Sequence, residues 1–247
     1  MVLPITSLPK IQAPTYELKL PSNGKEILIR PFLVREEKLL LMAAESKDEQ
    51  EIIRTTKQVI NNCLVSGEVD VEKLPFFDID YLFIALRAKS IGESVDLKFN
   101  CQAVQPDGDI CGNAFDVKID ISNVELLQKK DVEKDINIAP SIRIKMKYPT
   151  YSLMKAISME DIPIERKIVV ITNCIEQIIE KDKVYTQKDF TKTELKNFVE
   201  GMTQEQFKKL EYFVDNFPTF AINAKSKCGK CGFEHNIQYD DFTSFFF

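Results

Sequence analysis

The sequence predicts an α+β protein with three parts: a strand-and-helix N-terminal section, a four-cysteine, zinc-ribbon-like β element assembled from two distant knuckles, and a helical insertion between them. Three observations carry this expectation. Alternating apolar and polar residues occupy some stretches and apolar residues three or four apart occupy others, so strand and helix periods fall in separate blocks. Two cysteine pairs lie far apart, each closed by a Cys-Gly step, in segments that alternate like strands. Finally, 247 residues with 44% hydrophobic content but only 8 glycines and 11 prolines can bury a sizeable core, which excludes a disordered or fibrous chain.

The elements follow in order. Pro4, Pro9, Pro14, Pro21 and Pro31 keep the first 32 residues extended, and Tyr16–Leu20 and Glu26–Arg30 alternate around Ser22-Asn-Gly24, a hairpin signal. From Val34 the period becomes helical. Leu39 to Ala44 is expected to be a helix core, and after a charged break at Ser46 to Glu51 a second helix places Ile52, Ile53, Thr56, Ile60, Cys63 and Leu64 on one face until Gly67. Asp78 is expected to cap a buried helix ending near Gly92. Strand alternation returns in Ser94–Phe99, Ala114–Ile121 and Ser141–Met146. Helices are expected at Tyr151 to Ser158 and Ile164 to Glu180, and the capping boxes Thr191-Lys-Thr-Glu194 and Thr203-Gln-Glu-Gln206 announce two more, the second stopped by Pro218. A strand from Phe233 to Tyr239 closes the series. The expected organisation is residues 1–93 as N-terminal strands and helices, 94–147 with 221–247 as the ribbon-like β region, and 148–220 as the helical insertion.

Composition excludes several functions. The formal charge is -5 and both halves are mildly acidic, which speaks against a dedicated duplex-DNA binder. His235 is the single histidine, so chemistry built on several imidazoles is excluded. No Gly-rich phosphate loop, nucleophile elbow or paired catalytic carboxylates occur, and nothing asks for an enzyme. A proline-broken N-terminus and the lack of any run of 18 apolar residues predict neither secretory signal nor membrane span, and hence a cytosolic chain in which six cysteines are not a disulfide framework.

Metal ligation is the better reading of the thiols. Cys228-Gly-Lys-Cys231-Gly232 has the spacing of a knuckle, two thiolates on a tight turn with a glycine free to take positive φ. Cys111-Gly112 repeats its second half, and nine residues, among them Pro106-Asp-Gly-Asp109, separate Cys101 from Cys111, as if a loop had been inserted into the same turn. Cys101, Cys111, Cys228 and Cys231 thus make a candidate closed zinc site joining hairpins across 116 residues, with an iron-sulfur cluster as the minor alternative. The opposing reading is an accidental surface pair with reduced thiols. His235 is a possible substitute ligand, or an exposed strand residue. Cys63 and Cys174 read as small buried hydrophobes. Lys225, Lys227 and Lys230 suit either phosphate contact, as in a zinc-ribbon nucleic-acid-binding module, or neutralisation of a negatively charged thiolate centre.

The end of the chain reads Phe242-Thr-Ser-Phe245-Phe246-Phe247 after the acidic Asp240-Asp241. Rings left in water there cost about 1.5 to 3 kcal/mol each relative to burial, so they fold back or dock in a partner, and the acidic pair marks an exit from the domain surface. Docking through Phe242, Phe245, Phe246 and Phe247 is the preferred expectation.

The segments Leu20-Pro-Ser-Asn-Gly-Lys-Glu-Ile-Leu-Ile-Arg-Pro-Phe32, Glu36-Glu-Lys-Leu-Leu-Leu-Met-Ala43 and Leu86-Arg-Ala-Lys-Ser-Ile-Gly-Glu93, with the split knuckles and the Phe-rich end, resemble the baseplate hub and hub assembly proteins of T-even-like contractile-tailed bacteriophages. That resemblance spans nearly the whole chain. It implies a non-enzymatic role in the virion tail baseplate, assembled in the host cytoplasm, with other hub proteins (a central hub, spike or tube-initiating protein) as partners. The family includes both retained hub subunits and assembly factors, and it supplies no catalytic residues. A nucleic-acid-binding zinc ribbon is the competing class; membrane association is not expected.

Overall fold

The computed structural model describes residues 11–66, 68–157 and 163–239. Strands β1 (Tyr16–Lys19) and β2 (Glu26–Ile29) form the anticipated antiparallel hairpin, Tyr16 opposite Ile29, and its turn uses Gly24 at φ 70°. Helices α1 (Val34–Ser46) and α2 (Glu49–Cys63) follow, the second started by the Asp48 carboxylate, which accepts from the backbone N–H groups of Gln50 and Glu51. The run Leu39 to Ala44 is only half core. Leu40 and Ala43 are buried while Leu41 and Met42 are about half exposed, because consecutive helical residues point 100° apart. Beyond Cys63 the chain forms strand β3 (Leu64–Ser66), which pairs with β2, so Leu64 belongs to a strand; the expected stop at Gly67 lies outside the described residues.

Helix α3 (Phe76–Ser90) is buried nearly all round, with Ile79 and Leu82 fully enclosed. Asp78 is not its cap. Pro75 occupies that position, and the fully buried Asp78 carboxylate instead accepts from the backbone N–H and hydroxyl of Ser22 in the β1–β2 turn. Burial pushes the Asp78 carboxyl upward while these two donors oppose the shift.

The rest is a series of small antiparallel sheets and helices. β4 (Ser94–Asn100) pairs with β5 (Ala114–Asp120). A strand β6 (Glu125–Leu127) precedes β7 (Asp135–Ala139), β8 (Ile142–Met146), α4 (Tyr151–Ile157), α5 (Pro163–Cys174), β9 (Ile175–Glu180) and β10 (Lys183–Thr186). Then come α6 (Lys192–Glu200), α7 (Gln204–Val214), β11 (Thr219–Lys227) and β12 (Glu234–Tyr239). The strand orders are β1-β2-β3, β10-β9-β8-β7, β12-β11-β6 and β4-β5. Both capping boxes form: Thr191 and Glu194 exchange hydrogen bonds, as do Thr203 and Gln206. The helix expected through Glu180 ends at Cys174, and Ile175-Glu-Gln-Ile-Ile-Glu180 is a strand paired with β8 on one side and β10 on the other. Three isoleucines in six residues suit a pleated, half-buried surface, and the edge of β8 supplies backbone partners that a longer helix would leave unused.

Two cores result. One unites β1–β3, α1–α3 and the inner faces of β4, β5 and β11; the other lies between the β7–β10 sheet and α5–α7, around Ile144, Ile171 and Leu210. Aromatic rings join them: Tyr148 stacks on Phe213 at 5.6 Å and meets Phe77 edge-on at 5.0 Å, while Phe217 touches Phe76.

Glu36 is a second buried carboxylate, beside the first core. Its carboxylate, fully removed from solvent, takes both ends of the Arg30 guanidinium, Arg35 Nε at 2.8 Å and the Leu33 backbone N–H. Although burial opposes ionisation, the two arginines and that N–H hold its carboxyl down at about 2. Its contribution to stability is therefore complete above its ordinary value of 4.5 and disappears as the pH falls toward 2. Glu36→Ala, which strands Arg30, is expected to cost about 3 kcal/mol at neutral pH, with the penalty shrinking on acidification. Urea unfolding at pH 7 and pH 3 checks both; a midpoint unmoved at pH 7 refutes the assignment.

Candidate metal centre

The four cysteines singled out by spacing converge. Cys101, Cys111, Cys228 and Cys231 place their Sγ atoms within 4.8 Å of one another, with Cys101 and Cys231 at 3.5 Å and Cys111 and Cys228 at 4.0 Å. Among the described residues this is the group of potential ligands compact enough to share one ion. All four thiols are free, and three are buried.

Local backbone chemistry explains the convergence. In the second knuckle the Cys228 N–H bonds to the Phe233 carbonyl, and the Gly232 N–H bonds back to the Cys228 carbonyl with Gly232 at φ 75°. The first knuckle repeats this bond for bond. The Cys101 N–H bonds to the Asn113 carbonyl, and the Gly112 N–H to the Cys101 carbonyl with Gly112 at φ 61°. The nine residues that stand here where the second knuckle has two rise as an arm, held by Cys111 N–H to Ala103, by a bridge between Val104 and Ile110, and by a turn at Gly108. Each knuckle ends a hairpin, β4–β5 in one case and β11–β12 in the other, and the hairpins bring the turns together by packing Phe115, Ala224 and Ile237 toward the first core.

The electrostatics favour a cation. Backbone N–H groups of Cys231 and Lys230 aim at the Cys228 sulfur and hold its thiol below the ordinary value, whereas burial and the neighbouring sulfurs push Cys101 well above it. Four thiolates this close cannot ionise together in a dry site unless a positive ion sits among them.

Two neighbours stand beside the four sulfurs: His235, read from the sequence as a possible substitute ligand or an exposed strand residue, and Asn113, which spacing did not single out. His235 Nε2 stands 3.2 Å from the Cys101 sulfur, its ring between Phe115 and Phe233 at 5.4 and 4.8 Å, so it is neither a free strand residue nor within the group of four. Asn113 Nδ2 donates to the Cys228 sulfur at 3.6 Å. The signal for both was positional, one residue past a knuckle glycine and three past the other, but strand pairing was needed to turn them inward. Cys63 and Cys174 are buried in the two cores as anticipated, and burial lifts their thiols to about 11 and about 12. Lys225 and Lys227 are exposed on β11, with Lys227 opposite Glu234. Phe242, Phe245, Phe246 and Phe247 lie outside the described residues. No described helix is long and apolar enough to cross a membrane.

Fold and site define an α+β protein of small antiparallel sheets organised about a buried four-cysteine cluster. The family model of T4 bacteriophage base plate proteins matches residues 13–247, and the chain belongs to that family. A phage base plate role is the level of function this membership carries, and it agrees with the resemblance seen in the sequence. Among curated proteins and solved structures none matches.

Gly232→Ala is expected to destabilise the second knuckle by about 1 kcal/mol. The added methyl would find space, with Lys227 Cε at 3.7 Å, so the whole effect is the left-handed φ of 75°. Gly229, with open space and no positive φ, is the control: thermal melts showing Gly232→Ala no worse than Gly229→Ala would contradict this account.

Proposed function

We propose that the chain is a non-enzymatic structural or assembly component of the tail baseplate hub, whose two knuckled hairpins are clasped by one structural zinc ion on Cys101, Cys111, Cys228 and Cys231. The observation that carries the reading is the closure of two hairpins on four thiols within 4.8 Å, in a chain of the base plate family. Zinc–sulfur bonds of about 2.3 Å arranged tetrahedrally need sulfurs about 3.8 Å apart. The 3.5 and 4.0 Å pairs bracket that spacing. The sulfurs leave room for one ion and not for several irons with bridging sulfides, which favours zinc over a cluster. A complete four-thiolate set has no open position for a substrate, which supports a structural rather than catalytic metal.

Other hub proteins are the proposed partners, with Phe242, Phe245, Phe246 and Phe247 filling a neighbour's pockets as aromatic anchors do at interfaces. The runner-up, a nucleic-acid-binding ribbon, leans on Lys225, Lys227 and Lys230. Glu234 opposite Lys227 and the overall charge of -5 weigh against a continuous basic face, and the lysines balance a negative metal centre instead.

Elemental analysis of protein purified without added metal is expected to give about one zinc per chain, the count a closed four-ligand site demands. Cys111→Ser combined with Cys228→Ser is expected to abolish it and to lower the melting temperature. A metal content near zero with all four thiols free to react defeats the site, and iron in place of zinc defeats the assignment of the ion. Tight, salt-sensitive retardation of oligonucleotides would move the function to the runner-up. For the partner reading, deletion of Ser244 to Phe247 is expected to leave fold and metal intact while blocking hub assembly. Normal assembly by the truncated chain would exclude an anchor, and misfolding of the isolated truncated chain would return the rings to its own core.

A further inference from the structure

A cleft of about 680 Å3 opens where the two cores meet. Its walls come from the β1–β2 turn at Ser22 and Asn23, from Lys73 and Pro75 ahead of α3, and from Lys134, Lys145 and the segment 147–150 between β8 and α4. The two sides are stitched at its base, where the Phe76 N–H bonds to the Pro149 carbonyl and Pro75 bridges to Thr150. Four lysines therefore face one space in an acidic protein, against a single lining carboxylate, Glu176.

The cations are not equally engaged. Lys145 holds Glu176 at 3.2 Å and Lys73 holds Asp70 at 2.7 Å. Lys134 lies over the Tyr148 ring at 4.4 Å, and neither it nor Lys147 has a carboxylate ion-pair partner among the described residues. The nearest buried acid, Asp78, feels the Lys134 charge, yet its oxygens are taken by Ser22. Two ammonium groups, the exposed Lys134 and the half-buried Lys147, thus border the cleft with no carboxylate of their own and make it locally positive toward an anion.

We propose that this cleft binds an acidic peptide segment of another polypeptide, its carboxylates paired with Lys134 and Lys147. Three features favour peptide over nucleic acid. The side-chain amides of Asn23, Asn173 and Gln187 line the cleft beside the lysines; Asn173 and Gln187 donate to the Val169 and Ile175 carbonyls, which leaves their amide oxygens to accept from the N–H groups of a peptide backbone. Met146, Pro149 and Leu153 supply apolar floor between the charges, which suits side-chain stems. Glu176, on the wall of the cleft, would repel a continuous run of phosphates, whereas spaced carboxylates can avoid it. The inference stands apart from the metal centre, which uses none of these residues.

Fluorescence anisotropy on the full chain tests it, with a labelled octapeptide of alternating Asp and Ser, its Asn–Ser counterpart as control, and salt low enough to leave exposed pairs unscreened, about 50 mM. The Asp peptide is expected to bind and the Asn peptide not. Lys134→Gln with Lys147→Gln is expected to weaken binding about tenfold, and the control Lys181→Gln with Lys183→Gln, on the β9–β10 turn, to leave it unchanged. Lys134→Gln alone, at an exposed position, is expected to show part of the loss and covers the case in which the double variant melts early. Equal binding of both peptides, or an undiminished double variant, overturns the proposal. So does tighter binding of an oligothymidylate, or displacement by inorganic phosphate at the peptide's own concentration, since these would make the cleft a nucleic-acid or small-anion site.

Discussion

Strand β11 is the constraint on which the architecture depends. It begins beside the aromatic joint at Phe217, buries Phe220 and Ile222 in the first core, and delivers Cys228 at its far end. Its opening residues pair with β6, Thr219 opposite Leu127, and the remainder with β12. Between β6 and β11 the chain builds the second core, touching the first again midway through Tyr148, Tyr151 and Met154 before rejoining it at a point adjacent to where it left. A second core can occupy that interval at little entropic cost, because the ends it must bring together are already neighbours in a ladder. The rings of Phe77, Tyr148, Phe213 and Phe217 then fix how the inserted body sits against the first.

The parts of this arrangement legible in the sequence are those set by local chemistry. The β1–β2 turn, both threonine capping boxes and the knuckle glycines need only a few adjacent residues to specify them, and each forms as read. Two of the failures depended on partners far along the chain, and a third on helical phase alone. Ile175–Glu180 carries an apolar pattern that a helix could bury equally well, and only the waiting edge of β8 makes it a strand. Asp78 has the composition of a cap but answers to Ser22, a residue 56 positions earlier. Leu41 and Met42 belong to an apolar run whose helical phase turns them outward.

The candidate site follows the same rule. Cysteine type and spacing identify the four thiols, since few other uses need two Cys-Gly turns in one chain. The surroundings of the sulfurs were not readable. His235 reaches the Cys101 sulfur because β12 pairs with β11 in a register that places Ser226 opposite it, and Asn113 reaches Cys228 across the two hairpins. The matched hydrogen bonds of the knuckles show that the first is the same turn as the second with residues 102–110 standing in place of Gly229-Lys230.

The order in which the chain is made gives the split cluster a further consequence. Cys111 and Cys228 are 117 residues apart and Cys101 and Cys231 are 130 apart. A ribosome therefore releases the first pair of thiols, together with β4, β5 and most of the first core, long before the second pair exists. During that interval the chain carries half a site, whose two sulfurs cannot enclose an ion. Only when β11 has paired with β6 and the last turn has emerged are four sulfurs together, so completion of the cluster coincides with completion of the fold, and a chain cut short anywhere in the second core never acquires it.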